Sequence, residues 1–163
     1  MIKRCYNQKC LLKDNTYRGY SVCDEWLNFQ NFGEWYDENY YEVPNEVMDL
    51  DKDILYKGNK IYSPDNCVFV PHSVNSLIIK CDKYRGNLPI GVLFHKRDKI
   101  YQASCSNMKK EIFLGYYDNK IDAFNVYKKY KEELIKKIAD KYKCMILNNL
   151  YTMLYNYSVE ITN

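Results

Sequence analysis

The chain has 163 residues, 47% of them hydrophobic and 16% aromatic, a composition that can bury a core and excludes a disordered chain. No apolar run approaches the ~20 residues of a membrane-spanning helix, and MIKRCYNQKC lacks the apolar centre of a secretion signal, so a soluble, cytoplasmic protein with no membrane partner is expected. The net charge of +3 is uneven: residues 1–82 carry nine Lys and Arg against thirteen Asp and Glu, residues 83–163 fifteen against eight, as suits a carboxylate-bearing unit followed by an anion-binding one.

Seven cysteines, an odd number with no second pair at zinc-ribbon spacing, read as reduced thiols rather than a disulfide framework. From 24 to 37, DEWLNFQNFGEWYD repeats Trp26, Phe29, Phe32 and Trp35/Tyr36 at helical spacing. This predicts a helix with an aromatic core face and Asp24 in its first turn. NYYEVPNEV then follows as an irregular stretch broken by Pro44. DILYKG and KIY, joined through Gly58-Asn59, predict a β-hairpin; SPDNC predicts a turn and VFV a buried strand. Pro71 and Ser73 open a short helix to about Ile79, so the local order is β-β-turn-α.

A second unit begins near Lys83. GVLFHKR (91–97), KIYQASC (99–105) and KEIFLG (110–115) predict an antiparallel meander. Alternation puts Val92 and Phe94 on one side with Tyr101, Ala103 and Cys105 inward, and Gln102 and Ser104 outward. A long amphipathic helix follows, with Phe124, Tyr127, Lys131, Leu134, Ile138 and Tyr142 at three- or four-residue spacing and Asn119 or Asp118 as cap. Residues 144–157 predict a further apolar helix. The expected fold class is α+β, with units at 1–82 and 83–163.

Two local patterns resemble known families. Tyr84-Arg85-Gly86, Gly91-Val92, Lys99-x-Tyr101-x-Ala103, Leu114-Gly115-Tyr116 and Asp122-Ala123…Tyr127 resemble the DNA-binding domain of the APETALA/ethylene-response-factor family. That family lays the outer face of a three-stranded sheet, backed by one helix, in the DNA major groove. The resemblance implies double-stranded DNA as partner and a reading face of Leu93, His95, Arg97, Gln102, Ser104 and Lys110, with Arg85 and Lys96 as further DNA contacts. Basic and amide side chains at such positions can meet phosphates and base edges.

Arg4-Cys5-Tyr6, Val22-Cys23-x-x-Trp26, Phe29-x-x-Phe32, Leu50-Asp51-Lys52, Tyr62-Ser63-Pro64-x-Asn66-Cys67 and Val70-Pro71…Asn75 resemble the HNH-type nucleases of phages. Those enzymes wrap a ββα-metal unit around one divalent cation that neutralises charge on the scissile phosphate. The resemblance implies Asp51 and Asn75 as ligands of a divalent ion (Mg or Mn) and Asn66 as the residue orienting the site. Lys52 stands where the catalytic histidine belongs, and a lysine near its usual pKa of ~10.4 is a poor base at neutral pH. His72 is the remaining candidate base. The expected architecture is this HNH-like ββα unit packed with the three-stranded sheet and its long helix. The first expected function is metal-dependent hydrolysis or nicking of duplex DNA. The alternative is a catalytically inactive DNA-binding protein, or one that interferes with host defence through a host protein partner.

Overall fold

The computed structural model describes residues 1–13, 17–78 and 87–161. It is mixed α+β and divides into two compact units, Met1–His72 and Ser73–Asn163, where the sequence reading places the boundary after residue 82. Among the described residues, no helix is long and apolar enough to cross a membrane, and Cys5, Cys10, Cys23, Cys67, Cys105 and Cys144 are all free thiols.

The first unit opens with two short helices, α1 (Ile2–Tyr6) and α2 (Gln8–Lys13), and a two-residue strand, β1 (Ser21–Val22). The Tyr6 hydroxyl accepts the Val22 N–H at 2.9 Å, tying α1 to β1. The aromatic helix is interrupted. A 3-10 turn spans Asp24–Leu27, and α3 begins afresh at Phe29–Asn39 with the Asn28 side chain accepting the Gln30 N–H. Asn28, rather than Asp24, therefore starts this helix, because a side-chain amide reaches the orphan N–H groups that an aspartate four residues earlier does not. The restart changes the phase of the stripe. Trp26, Phe32 and Trp35 pack together around the buried Cys5, Val22, Tyr62 and Cys67, while Phe29 lies 77% exposed. Trp26 Nε1 has no hydrogen-bond partner among the described residues; its indole packs against the Phe32 and Trp35 rings, at 5.1 and 4.7 Å.

The expected hairpin through Gly58-Asn59 does not form. Its first arm, residues 53–58, forms bends and a turn instead of a strand, and its second pairs elsewhere: β3 (Ile61–Tyr62) runs parallel to β1, while the preceding β2 (Met48–Asp51) runs antiparallel to β4 (Val68–Pro71). Asp51 ends β2 by accepting the N–H groups of Asp53 and Ile54, both at 2.8 Å. Such a side-chain turn competes with continued pairing. The Asn59 amide then donates to the carbonyls of Lys52 (2.7 Å) and Ile61 (2.8 Å) and fastens the loop. Gly58, at φ +84°, supplies the turn as expected but not as part of a ladder. All four residues of β4 are buried, and the chain passes directly into α4 (His72–Ile78).

The second unit follows expectation more closely. Strands β5 (Val92–His95), β6 (Ile100–Ser106) and β7 (Glu111–Tyr117) form a three-stranded antiparallel meander in that order. Helix α5 (Lys120–Tyr142) packs on one side of it, capped by the Asn119 side chain, which accepts the N–H groups of Ile121 and Asp122. The core beneath the sheet joins Val92, Ala103, Cys105, Ala123, Phe124, Tyr127 and Val159. Further along α5 the buried positions are Ile135, Ala139 and Tyr142, with Leu134 and Ile138 only half-buried. The last helix, α6 (Asn148–Tyr155), buries Leu150 and Leu154. It is shorter than the expected 144–157.

Candidate functional site

In the first unit, Asp51, which the sequence marks for metal chemistry, closes a turn, and Lys52 beside it is buried. Asp51 Oδ1 is taken up by the two N–H groups that close its turn. Burial, followed by the neighbouring Asp53 carboxylate, pushes the Asp51 carboxyl above its ordinary pKa against the pull of those N–H donors. Lys52 is 7% exposed. Its ammonium lies 4.2 Å from the centre of the Tyr20 ring, 5.4 Å from that of Tyr62 and 3.4 Å from Asp53 Oδ1. It is a packed cation between aromatic faces, not a group offered to solvent.

Asn66 sits in the turn after Pro64, its N–H donated to the Ser63 carbonyl at 3.2 Å. Burial pushes the adjacent Cys67 thiol up to about 12, so it stays protonated and inert at neutral pH. His72 is exposed, with Nδ1 2.8 Å from Asp49 Oδ2. Asp49, two residues before the expected Asp51, is thus the carboxylate that meets the histidine. Strand alternation puts residues 49 and 51 on one face of β2, which is the signal that could have found it. Asn75 lies in α4, half-buried, on the second unit's side of the boundary.

This donor set does not fit a hard divalent cation, which wants several free oxygens. Asp51 Oδ1 is engaged by two backbone N–H groups, and an ammonium neighbours the residue in the chain. Among the described residues, no group of three or more His, Cys, Asp or Glu side chains is placed to hold a metal ion.

The outer face of the β5–β6–β7 sheet, opposite α5, has a different character. Register sets Leu93, Gln102 and Tyr116 in one row across the three strands, with Ser104 opposite Phe113 in the next. Leu93, Phe113 and Tyr116 are each more than half exposed. His95 Nε2 lies 2.7 Å from Gln102 Oε1, and the His95 ring meets Tyr116 edge-on at 5.6 Å. Ser104, expected to face outward for DNA, is 7% exposed and donates its hydroxyl to Glu111 at 2.5 Å. It supports the face and is not offered by it.

The remaining expected DNA contacts are not on the strands' faces. Lys96 and Arg97 lie with Lys99 in the β5–β6 turn, and Lys110 lies with Lys109 in the β6–β7 turn, all exposed. In a meander these two turns sit at opposite ends of the sheet. Arg85 falls outside the described residues, as do Tyr84 and Gly86.

Sequence reasoning missed Phe113 and Tyr116. A bulge between Ala103 and Ser104 leaves Leu114 as an extra residue of β7, so both Leu114 and Gly115 face the core side and the alternation resumes a step late with Tyr116 outward. Gly115, at φ +132°, is the residue in the sequence that marks the irregularity. Compared with protein-family models, curated proteins and solved structures, the chain matches none.

Proposed function

We propose that this protein binds duplex DNA through the outer face of the β5–β6–β7 sheet and does not hydrolyse it. The observation that carries this reading is the pair of cationic turns, Lys96/Arg97/Lys99 and Lys109/Lys110, at the two ends of a face of aromatic, apolar and amide side chains. Strand β6 has seven residues, which at about 3.3 Å each separates the turns by roughly 20 Å. That span brackets a major groove about 12 Å wide, so each turn meets one phosphate strand while the face addresses the bases between. In this reading the antiparallel pair β2–β4 followed by α4 is an HNH-like ββα unit whose catalytic position is filled by Lys52 and whose Asp51 has become a turn-closing residue. Its role is then structural.

Two measurements test the proposal. Affinity for a mixed-sequence duplex falls steeply with salt, by about 0.9 log units per log unit of salt for each phosphate met. Lys110→Ala flattens the slope by about 1. Absence of binding at low salt removes DNA from the account. Supercoiled plasmid with Mg²⁺ or Mn²⁺ stays intact with the wild type. Nicking by the wild type that is lost in Asp51→Ala overturns the non-cleaving half of the reading.

A further inference from the structure

The centre of the sheet face carries a polar group whose orientation is fixed. Gln102 lies on the middle strand, between Leu93 on β5 and Tyr116 on β7. His95 Nε2, carrying its hydrogen, donates to Gln102 Oε1 at 2.7 Å, and the Tyr116 ring meets the imidazole edge-on. Phe113 in turn meets Tyr116 at 5.0 Å. The amide oxygen is therefore drawn towards His95 with one lone pair still open, and the NH₂ end is left to point elsewhere. Fixing a long, flexible side chain beforehand removes part of the entropy cost of recognition.

The chemistry around this amide is selective. In the major groove adenine presents an N7 acceptor beside an N6–H donor, the pattern that a glutamine meets with both ends of its amide. Thymine adds a methyl group, which apolar side chains contact. Leu93 and Phe113 expose such surface in the same row as Gln102 and in the next. Guanine is read chiefly by arginine or lysine forks, and here those cations lie in the turns, not among the outward strand residues Leu93, His95, Gln102, Phe113 and Tyr116.

We propose that Gln102, held by His95 as a positioning residue, reads adenine in the major groove and that Leu93 and Phe113 contact the thymine methyl beside it, giving the protein a preference for A·T-containing sites. This rests on the DNA-binding reading above and adds a base preference to it.

Competition at fixed low salt, with the full chain and four randomised duplex pools, decides the matter. The pools are A·T-rich, G·C-rich, A·T-rich with 7-deazaadenine for adenine, and A·T-rich with uracil for thymine. The wild type is expected to favour the A·T-rich pool over the G·C-rich one by about tenfold. Loss of the N7 acceptor should cost most of that factor, and loss of the methyl a smaller part. Gln102→Met keeps the packing volume and should bind adenine and 7-deazaadenine pools equally, with the wild-type salt slope confirming an intact fold. His95→Ala should lose the same discrimination while retaining Gln102. Equal wild-type affinity for all four pools overturns the base preference but leaves DNA binding standing. No binding to any pool overturns both, and leaves Leu93, Phe113 and Tyr116 as a surface for a protein partner.

Discussion

Asp51 and Gln102 are both half-buried polar side chains on short antiparallel strands, yet their surroundings use them in opposite ways. Asp51 spends an oxygen on two backbone N–H groups of its own turn, and next to it Lys52 is enclosed by Tyr20 and Tyr62. Gln102 is held by one histidine at the centre of an open, partly apolar face with cations at both ends. A polar group satisfied within its own fold stabilises that fold; one that is oriented and left with open hydrogen-bonding capacity can meet a ligand. The region whose residue types most suggest chemistry thus engages Asp51 and Lys52 within its own fold, and the plainer sheet is the one that leaves aromatic, apolar and amide side chains exposed on one face.

The largest expected effect that separates the two regions comes from Gly91. It has φ +74°, and a Cβ built there runs into the Tyr127 ring at the centre of the second unit's core. Gly91→Ala should combine a left-handed backbone penalty with overpacking, about 3 kcal/mol together, or roughly 10 °C in thermal midpoint. Both tryptophans, Trp26 and Trp35, belong to the first unit. Melting followed by circular dichroism and by tryptophan emission on the same sample therefore reads the two regions apart. A Gly91→Ala protein with an unchanged midpoint by circular dichroism would show that the sheet and α5 do not pack as described.

Lys52 gives the next effect. If its ammonium is a structural cation between two rings, Lys52→Ala should destabilise the first unit by about 2 kcal/mol through lost cation–π contact and stem packing. The tryptophan emission should report the loss, and DNA affinity should stay within about twofold of the wild type. A variant that is as stable as the wild type would mean that Lys52 is free for chemistry, and the contrast between the regions would fail.

How far the fold could be read from residues depended on whether local signals competed. The meander, the long helix and the Asn119 cap were legible because alternation, helical spacing and capping chemistry all agree there. The hairpin expected at Gly58-Asn59 was misread because a turn signal fixes a bend but not the partner of the strand that follows. Ile61–Tyr62 gains more by pairing with Ser21–Val22, where Tyr62 enters the aromatic core. The outer sheet face was half legible. His95 and Gln102 follow from period-two alternation, but the bulge at Leu114 defeats that period for Tyr116, and Ser104 is covered where it bonds Glu111. At Asp51 the sequence shows the carboxylate but not the turn it closes, since a carboxylate that closes a turn and one that binds a metal look alike in sequence.

The smallest effect separates the regions by the sign of their response to acid. Glu132 on α5 clasps the chain near residue 159. Its Oε1 accepts the Val159 N–H at 2.9 Å and the Lys128 ammonium at 2.8 Å, while Lys128 also donates to the Val159 carbonyl at 2.6 Å. Burial pushes the Glu132 carboxyl up, but these hydrogen bonds outweigh it and hold the group below its ordinary 4.5. A carboxyl lowered in the folded state contributes stability that is fully present above the unfolded value of 4.5 and is lost as pH falls through the folded one. Asp51 is raised in the folded state, so its ionised form is disfavoured by folding. Its penalty is fully present above the raised value and is relieved as pH falls towards 3.8. Acidification from neutral pH should therefore weaken the Glu132 clasp while easing the Asp51 turn. Glu132→Gln should cost about 1 kcal/mol at pH 7 and flatten the loss of thermal midpoint below pH 4.5. Asp51→Asn should instead remove a gain in that direction. Paired melts of both variants against the wild type from pH 7 to 3.5 read the two signs, and curves that bend the same way would show that the two carboxyls are not held as differently as their contacts require.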